Sequence, residues 1–238
     1  AKGTVDYAKK MEEKYARMEK SSVQSYSIKL RSFTQGELDF WGSYGITKAV
    51  LDRYNVHAVE ACNIVKKDGK SFSVMSSEYI PMFGYSFNSG RGYKIYRPKA
   101  TNRFMYVGKL PSPYIFGWDQ LPEKGDRVFI TGGEKDVMSL AAHGYHAISF
   151  NSETAKLPAD ILQELSRRFG SIILLFDSDE TGIKESALRC KENKDISNLL
   201  RVTLPLKGTK SEKDISDFFK MGNSREALEH VLTEYLSR

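Results

Sequence analysis

The apolar positions change period along the chain, and each change marks a different kind of structure. Over residues 4–20, Val5, Ala8, Met11, Tyr15 and Met18 recur at helical spacing behind Thr4. Lys and Glu fill the other faces, which predicts one solvated lead-in helix. Residues 36–56 predict two short helices broken at Gly42 and Gly45. The second starts at Ile46-Thr47 and presents Val50, Leu51 and Tyr54 on one side. Residues 63–110 alternate instead, as in Ser71-Phe72-Ser73-Val74-Met75 and Tyr93-Lys94-Ile95-Tyr96, with glycine turns at 67–70 and 88–92. That pattern predicts antiparallel strands. From Arg127 short apolar runs at 128–131, 147–150, 172–176 and 202–206 predict strands, with helices at 134–143, 158–169 and 181–193 between them. Pro158 suits a helical first turn. Strands alternating with helices predict βαβ units and a mostly parallel sheet flanked by helices. A last helix is expected near 224–236.

The turn-rich link Leu121-Pro122-Glu123-Lys124-Gly125 separates the two patterns. The expected organisation is an N-terminal helix or linker over 1–22, a smaller mixed α+β basic subdomain over 23–122, an α/β domain over 123–222 and a C-terminal helix over 223–238. Composition removes some chemistries. Cys62 and Cys190 are the two cysteines among 238 residues, so a zinc site of four cysteines, or of three and a histidine, is excluded. His57, His143, His146 and His230 form no metal-ligand set. No run reaches the ~18–20 apolar residues of a membrane helix. The net charge of +6 permits a nucleic-acid partner without demanding one.

Candidate chemistry gathers where strands end. The 172–176 strand runs directly into Asp177-Ser178-Asp179-Glu180-Thr181-Gly182. Ligands of open α/β sheets bind outside the carboxyl ends of strands. Two close carboxylates there are hard oxygen ligands suited to Mg²⁺; equally, they are acids favoured by a helix N-terminus. Gly182 permits a tight entry into the following helix. A second turn, Gly132-Gly133-Glu134-Lys135-Asp136, either lets phosphate approach its glycines or simply caps a helix. A third, Lys213-Asp214-Ile215-Ser216-Asp217, follows the last expected strand and either joins an acidic edge or supplies an N-capping acid. Three acidic turns after three strands of one sheet converge on one edge. By contrast, residues 79–118 contain no acid at all. They carry Arg91, Lys94, Arg97, Lys99, Arg103 and Lys109 among eleven aromatics, including Phe83, Tyr85, Tyr96, Phe104, Tyr106 and Trp118. Cations that track phosphates and rings that stack on bases make this a candidate surface for DNA or nucleotide; the alternative is an ordinary basic β face.

Taken together, these turns resemble the TOPRIM signature: a carboxylate turn, then Asp-x-Asp-x-x-Gly, then Lys-Asp. Gly45-Ile46-Thr47, the β segment 82–106 and Ile115-Phe116-Gly117 are similar to the RNA polymerase core of phage replicative primase–helicases, mitochondrial Twinkle and DnaG-like primases. The resemblance spans roughly residues 30–222. It implies a DNA primase, a nucleotidyltransferase that joins ribonucleotides on single-stranded DNA with Mg²⁺ or Mn²⁺. Asp177, Asp179 and Asp214 would hold the metal, and Glu134 and Asp136 would be catalytic. Arg91, Lys94, Arg97, Lys99, Arg103, Gly133 and Gly182 would contact DNA or nucleoside triphosphate. It further implies a cytoplasmic phage or mobile-element replication protein with a replicative helicase as partner and no membrane. The cysteine count forbids the family's zinc module, and no G-x-x-x-x-G-K-[ST] helicase loop is present. The phage-type pattern Glu-Gly-Glu-x-Asp reads Gly132-Gly133-Glu134-Lys135-Asp136 here, with Gly132 in the place of the first Glu. Either Glu134 takes over that role, or the chain is a non-catalytic TOPRIM module that binds single-stranded DNA. A metal-dependent TOPRIM nuclease is the third reading.

Overall fold

The structure, a computed structural model, describes residues 23–236, so the helix expected over 4–20 lies outside the described residues. The chain forms two compact units. One holds the described residues up to Thr34 together with Asn55–Pro111; the other holds Gln35–Tyr54 and the residues from Ser112 onward.

The first unit is a six-stranded antiparallel sheet. Its strands are β1 (Val23–Arg31), β2 (Val56–Lys66), β3 (Ser71–Met75), β4 (Phe83–Phe87), β5 (Gly92–Tyr96) and β6 (Phe104–Gly108). The spatial order is β1-β2-β4-β5-β6, with β3 also paired to β2. Side chains alternate between the two faces. One face packs Val59, Cys62, Ile64, Met82, Tyr93, Ile95 and Val107 into a core. The other carries Phe83, Tyr85, Tyr96 and Phe104, whose rings lie 5.3–6.4 Å apart. The pairing Tyr85↔Lys94↔Tyr106 seats Lys94 in that same row. β1 was not foreseen, and β2 begins at Val56.

The second unit opens with α1 (Gln35–Gly42) and α2 (Lys48–Arg53), as the breaks at Gly42 and Gly45 predict. Thr47 caps α2: its hydroxyl accepts from the Val50 amide at 3.4 Å. Then follow β7 (Ile115–Phe116), β8 (Gly125–Thr131), α3 (Glu134–Ala142), β9 (Ala147–Phe150), α4 (Ala159–Arg168), β10 (Phe169–Leu175), α5 (Glu180–Glu192), β11 (Leu199–Arg201), α6 (Ile215–Lys220) and α7 (Arg225–Leu236). The sheet order is β11-β10-β8-β9-β7. β8, β9, β10 and β11 pair in parallel, and β7 is antiparallel to β9, so the sheet is mixed at one edge. The fold is α/β, as expected, with two differences. The last strand is Leu199–Arg201 rather than 202–206, and its ladder to β10 ends with the bond from the Val202 amide to the Leu174 carbonyl. The residues after Asp214 form a short helix, α6, outside the ranges expected for helices, although Asp214 caps it as the capping alternative for that turn implies.

The core of this unit comes from alternate strand residues. Val128, Ile130, Ile148, Ile172 and Leu174 meet Leu162 and Leu165 of α4 on one face. Val137, Met138 and Leu140 of α3 are fully buried. The chain passes from β8 to β9 on one side of β8 and then to β10 on the other. That reversal opens a crevice at the carboxyl ends of these strands, where open α/β sheets take ligands.

Candidate metal centre at the sheet edge

The crevice is built from four strand exits. β8 leaves through Thr131 into Gly132 and Gly133, and Gly133 is the N-cap of α3. The Thr131 hydroxyl donates to the Gly133 carbonyl at 3.2 Å and fixes this turn. β10 leaves into Asp177, Ser178 and Asp179. Asp179 caps α5, its Oδ1 accepting from the Gly182 amide at 2.9 Å. A side chain on Gly182 would run into the backbone of Asp177, so glycine here serves close packing of the helix on the acidic turn. Ser178 ties the turn to the later loop: its amide donates to the Lys213 carbonyl at 2.7 Å and its hydroxyl to the Leu204 carbonyl at 3.1 Å. Asp214 caps α6, accepting from the Asp217 amide at 2.7 Å. β9 leaves through Asn151 and Ser152 to Glu153.

These exits bring carboxylates together. One oxygen each of Asp136, Asp177 and Asp214 lie within 4.8 Å of one another, and so do those of Glu153, Asp177 and Asp179. Asp177 belongs to both groups. The Glu153 Oε1 accepts from the Asp177 backbone amide at 2.7 Å. Asp136, buried at the start of α3, accepts from the Ser216 hydroxyl of α6. Glu134 is also buried, but it accepts from the Tyr114 hydroxyl at 2.6 Å and is in neither group.

Two lysines offset part of this charge. The Lys213 ammonium contacts Asp177 and lies 3.0 Å from Asp179. The Lys135 ammonium lies 3.2 Å from Asp214 and 3.9 Å from Asp217, with the Tyr44 ring centroid 4.2 Å away. Burial would lower the Lys135 pKa, but Asp136 and Asp214, with Tyr44 and Asp217, more than reverse that and hold the ammonium charged. Burial, then the neighbouring Asp214, pushes the Asp136 carboxyl well above the ordinary range. Asp177 is raised by burial against the pull of Lys213. Glu153 is pushed up to about 8 by burial and by the adjacent Asp177 charge. Asp179 goes the other way: burial pushes it up, but the Gly182 amide and Lys213 outweigh that and hold it low. Crowded acids whose protons are hard to remove gain most from a cation. The donor set is all carboxylate oxygen, as a hard divalent ion requires, and lysine ammoniums already stand where positive charge is needed. The residues fit a divalent metal.

The remaining expected site residues are placed as follows. Arg91, Lys94, Arg97, Lys99 and Arg103 all belong to the first unit. Lys94 is buried, with the Phe104 and Tyr106 ring centroids 4.6 Å and 5.9 Å from its ammonium. Arg103 is exposed, donates to the Tyr96 hydroxyl at 3.1 Å and lies over the Tyr96 and Phe104 rings. Arg91 and Lys99 are exposed and Arg97 is partly buried. Sequence reasoning missed Glu153, Lys135 and Lys213 as members of the acidic edge. The signal for Glu153 was its place, three residues past a parallel strand that borders β8.

Residues 129–219 match the Toprim-like family model. No curated protein matches the sequence. Among solved structures, the chain is similar to the primase fragment of the bacteriophage T7 primase–helicase protein, at 17% identity and TM-score 0.53 over 85% of this chain and 79% of that one. It is similar to a DNA primase domain from Pseudomonas aeruginosa, at 15% identity and TM-score 0.61 over 84% and 72%. The DnaG primase catalytic domain bound to single-stranded DNA gives 16% identity and TM-score 0.59 over 82% and 70%. Residues 129–219 of the second unit therefore have a Toprim-like fold, and the chain is similar in fold to DNA primase catalytic cores.

Proposed function

We propose that this chain is the nucleotidyl-transfer core of a DNA primase, joining ribonucleotides on a single-stranded DNA template with Mg²⁺ or Mn²⁺. The observation that carries the reading is the convergence of Asp136, Asp177 and Asp214 from three different strand exits onto one edge. Asp177, Asp179 and Asp214 would hold the metal, and Asp136 stands beside them. A divalent ion in such a site neutralises charge on a transferring phosphoryl group and activates the attacking hydroxyl. The chain's own residues do the rest. Asp179 and Asp214, each locked by capping a helix, keep their oxygens fixed. Ser178 pins the Lys213–Asp214 loop beside them. Gly133 leaves the backbone bare at the start of α3, where phosphate would approach. Arg103 and the exposed Phe104 ring supply a cation and a stacking face for template or nucleotide in the first unit, where Arg91 and Lys99 are also exposed. The likeness to a primase domain solved with single-stranded DNA supports that partner. A replicative helicase is the partner class that primases of the T7 type suggest.

Gly132 favours a second reading, in which the fold holds single-stranded DNA without synthesis. Primer synthesis separates the two. The chain is incubated with single-stranded template, NTPs and Mg²⁺ or Mn²⁺, beside Asp177→Asn and Asp179→Asn. Metal-dependent primers from the wild type and none from either variant support the primase core. DNA binding without synthesis supports the binder. Metal-dependent nicking of the template instead identifies a nuclease.

A further inference from the structure

The acidic edge contains a carboxylate that none of the three acidic turns supplies. A Cβ built on Gly132 would lie 2.6 Å from the Glu153 Oε1 and 3.0 Å from its Cγ. The Glu153 side chain thus fills the volume into which any side chain at 132 would grow. Gly132 needs no positive φ, so its lack of a side chain answers to this occupancy rather than to backbone strain. Held there, the Glu153 Oε1 accepts from the Asp177 amide, and the carboxylate lies within 4.8 Å of oxygens of Asp177 and Asp179. Those two acids already share a cation, the Lys213 ammonium.

We infer that Glu153 is a metal-binding carboxylate of this edge, delivered from the β9 exit into the space that Gly132 vacates on the β8 exit. The inference rests on the reading of the edge as a metal site. It adds to that reading the assignment of Glu153, outside all three acidic turns, and a reason for glycine at 132. It also makes the two positions interchangeable: a short acid at 132 would begin where the Glu153 oxygen now lies. Aspartate suits this better than glutamate, because its oxygens stand only one carbon beyond Cβ.

The test is Mn²⁺ binding by the whole chain, read from the free Mn²⁺ electron paramagnetic resonance signal, without nucleotide or DNA. Glu153→Gln keeps an oxygen to accept from the Asp177 amide and loses only the charge. It is expected to weaken Mn²⁺ binding about 10-fold or more while the thermal midpoint is kept, as loss of a metal-site carboxylate should. Gly132→Asp in a Glu153→Ala background is expected to recover most of the affinity that Glu153→Ala alone loses. Asp177→Asn serves as the control and is expected to lose binding. Unchanged affinity in Glu153→Gln with loss in Asp177→Asn would overturn the assignment and leave the metal site standing. Unchanged affinity in Asp177→Asn would overturn the metal reading and the assignment together. A well-folded double variant that binds no better than Glu153→Ala would refute the shared place of the two side chains.

Discussion

Replacing Lys135 by methionine isolates how the acidic edge tolerates its own charge. Methionine keeps the aliphatic stem against the Tyr44 ring and removes only the ammonium. That ammonium lies 3.2 Å from Asp214, with side chains 15% and 14% exposed. At an effective dielectric of ~20 the pair attracts by about 5 kcal/mol before desolvation. Removing one partner of a buried pair leaves the other uncompensated, at about 3–5 kcal/mol. Asp136 and Asp217 stand in the same cluster, so neutralisation of Asp214 alone relieves only part of the strain. For a unit of this size, a thermal midpoint lower by roughly 6–20 °C follows. The assay is thermal unfolding by circular dichroism in EDTA, comparing wild type, Lys135→Met, Asp214→Asn and the double variant. The double variant should be less destabilised than the sum of the singles, and Mg²⁺ should raise the midpoint of Lys135→Met more than that of the wild type. A Lys135→Met midpoint within about 2 °C of wild type, or strictly additive singles, would refute the counterion argument.

Gly182→Ala should destabilise by about 1–3 kcal/mol in urea unfolding, because its Cβ would meet the Asp177 backbone rather than a yielding side chain. Glu229 accepts from Arg127 at 2.6 Å and Tyr145 at 2.8 Å. Its burial pushes the carboxyl up, but these partners outweigh that and hold it below the ordinary range. A depressed acid contributes stability above its unfolded pKa and loses it as pH falls through the folded value. The urea midpoints of wild type and Glu229→Gln should therefore differ at pH 7 and converge below about pH 4, and a constant gap would contradict the assignment. Arg103→Ala should weaken single-stranded DNA binding and lower the slope of log affinity against log salt by about 1. An unchanged slope would make Arg103 purely structural.

The parts of the fold that were legible in the sequence are those whose periodicity is uninterrupted. The runs at 128–131, 147–150 and 172–176 are buried on both faces and flanked by clear helices, so strand and helix separate cleanly. β1 escaped notice for a physical reason: register shifts between Val23 and Ser25 and between Lys29 and Leu30 break its alternation. The last strand, Leu199–Arg201, lies just before the apolar run at 202–206, so that run marks the region of the strand and not its register. At the site, the three acidic turns could be read because each sits within a few residues of a strand end or a lysine–acid motif. Glu153 could not, because its neighbours form no motif and its meaning lies in the missing side chain across the sheet. A basic, alternating strand predicts a surface cation at Lys94; its burial beneath aromatic rings is a tertiary outcome that the pattern does not reveal.

The two lysines give the acidic edge built-in counterions. Metallo-domains whose ligands repel one another need their ion in order to fold at all. Here Lys135 and Lys213 hold the acids together beforehand, so the chain should keep its shape through cycles of ion loss and reloading. An arriving ion then competes with a tethered ammonium instead of condensing a disordered loop. On the metal-site reading, the ion concentration would set how much of the protein is loaded, while the lysines keep the unloaded protein folded.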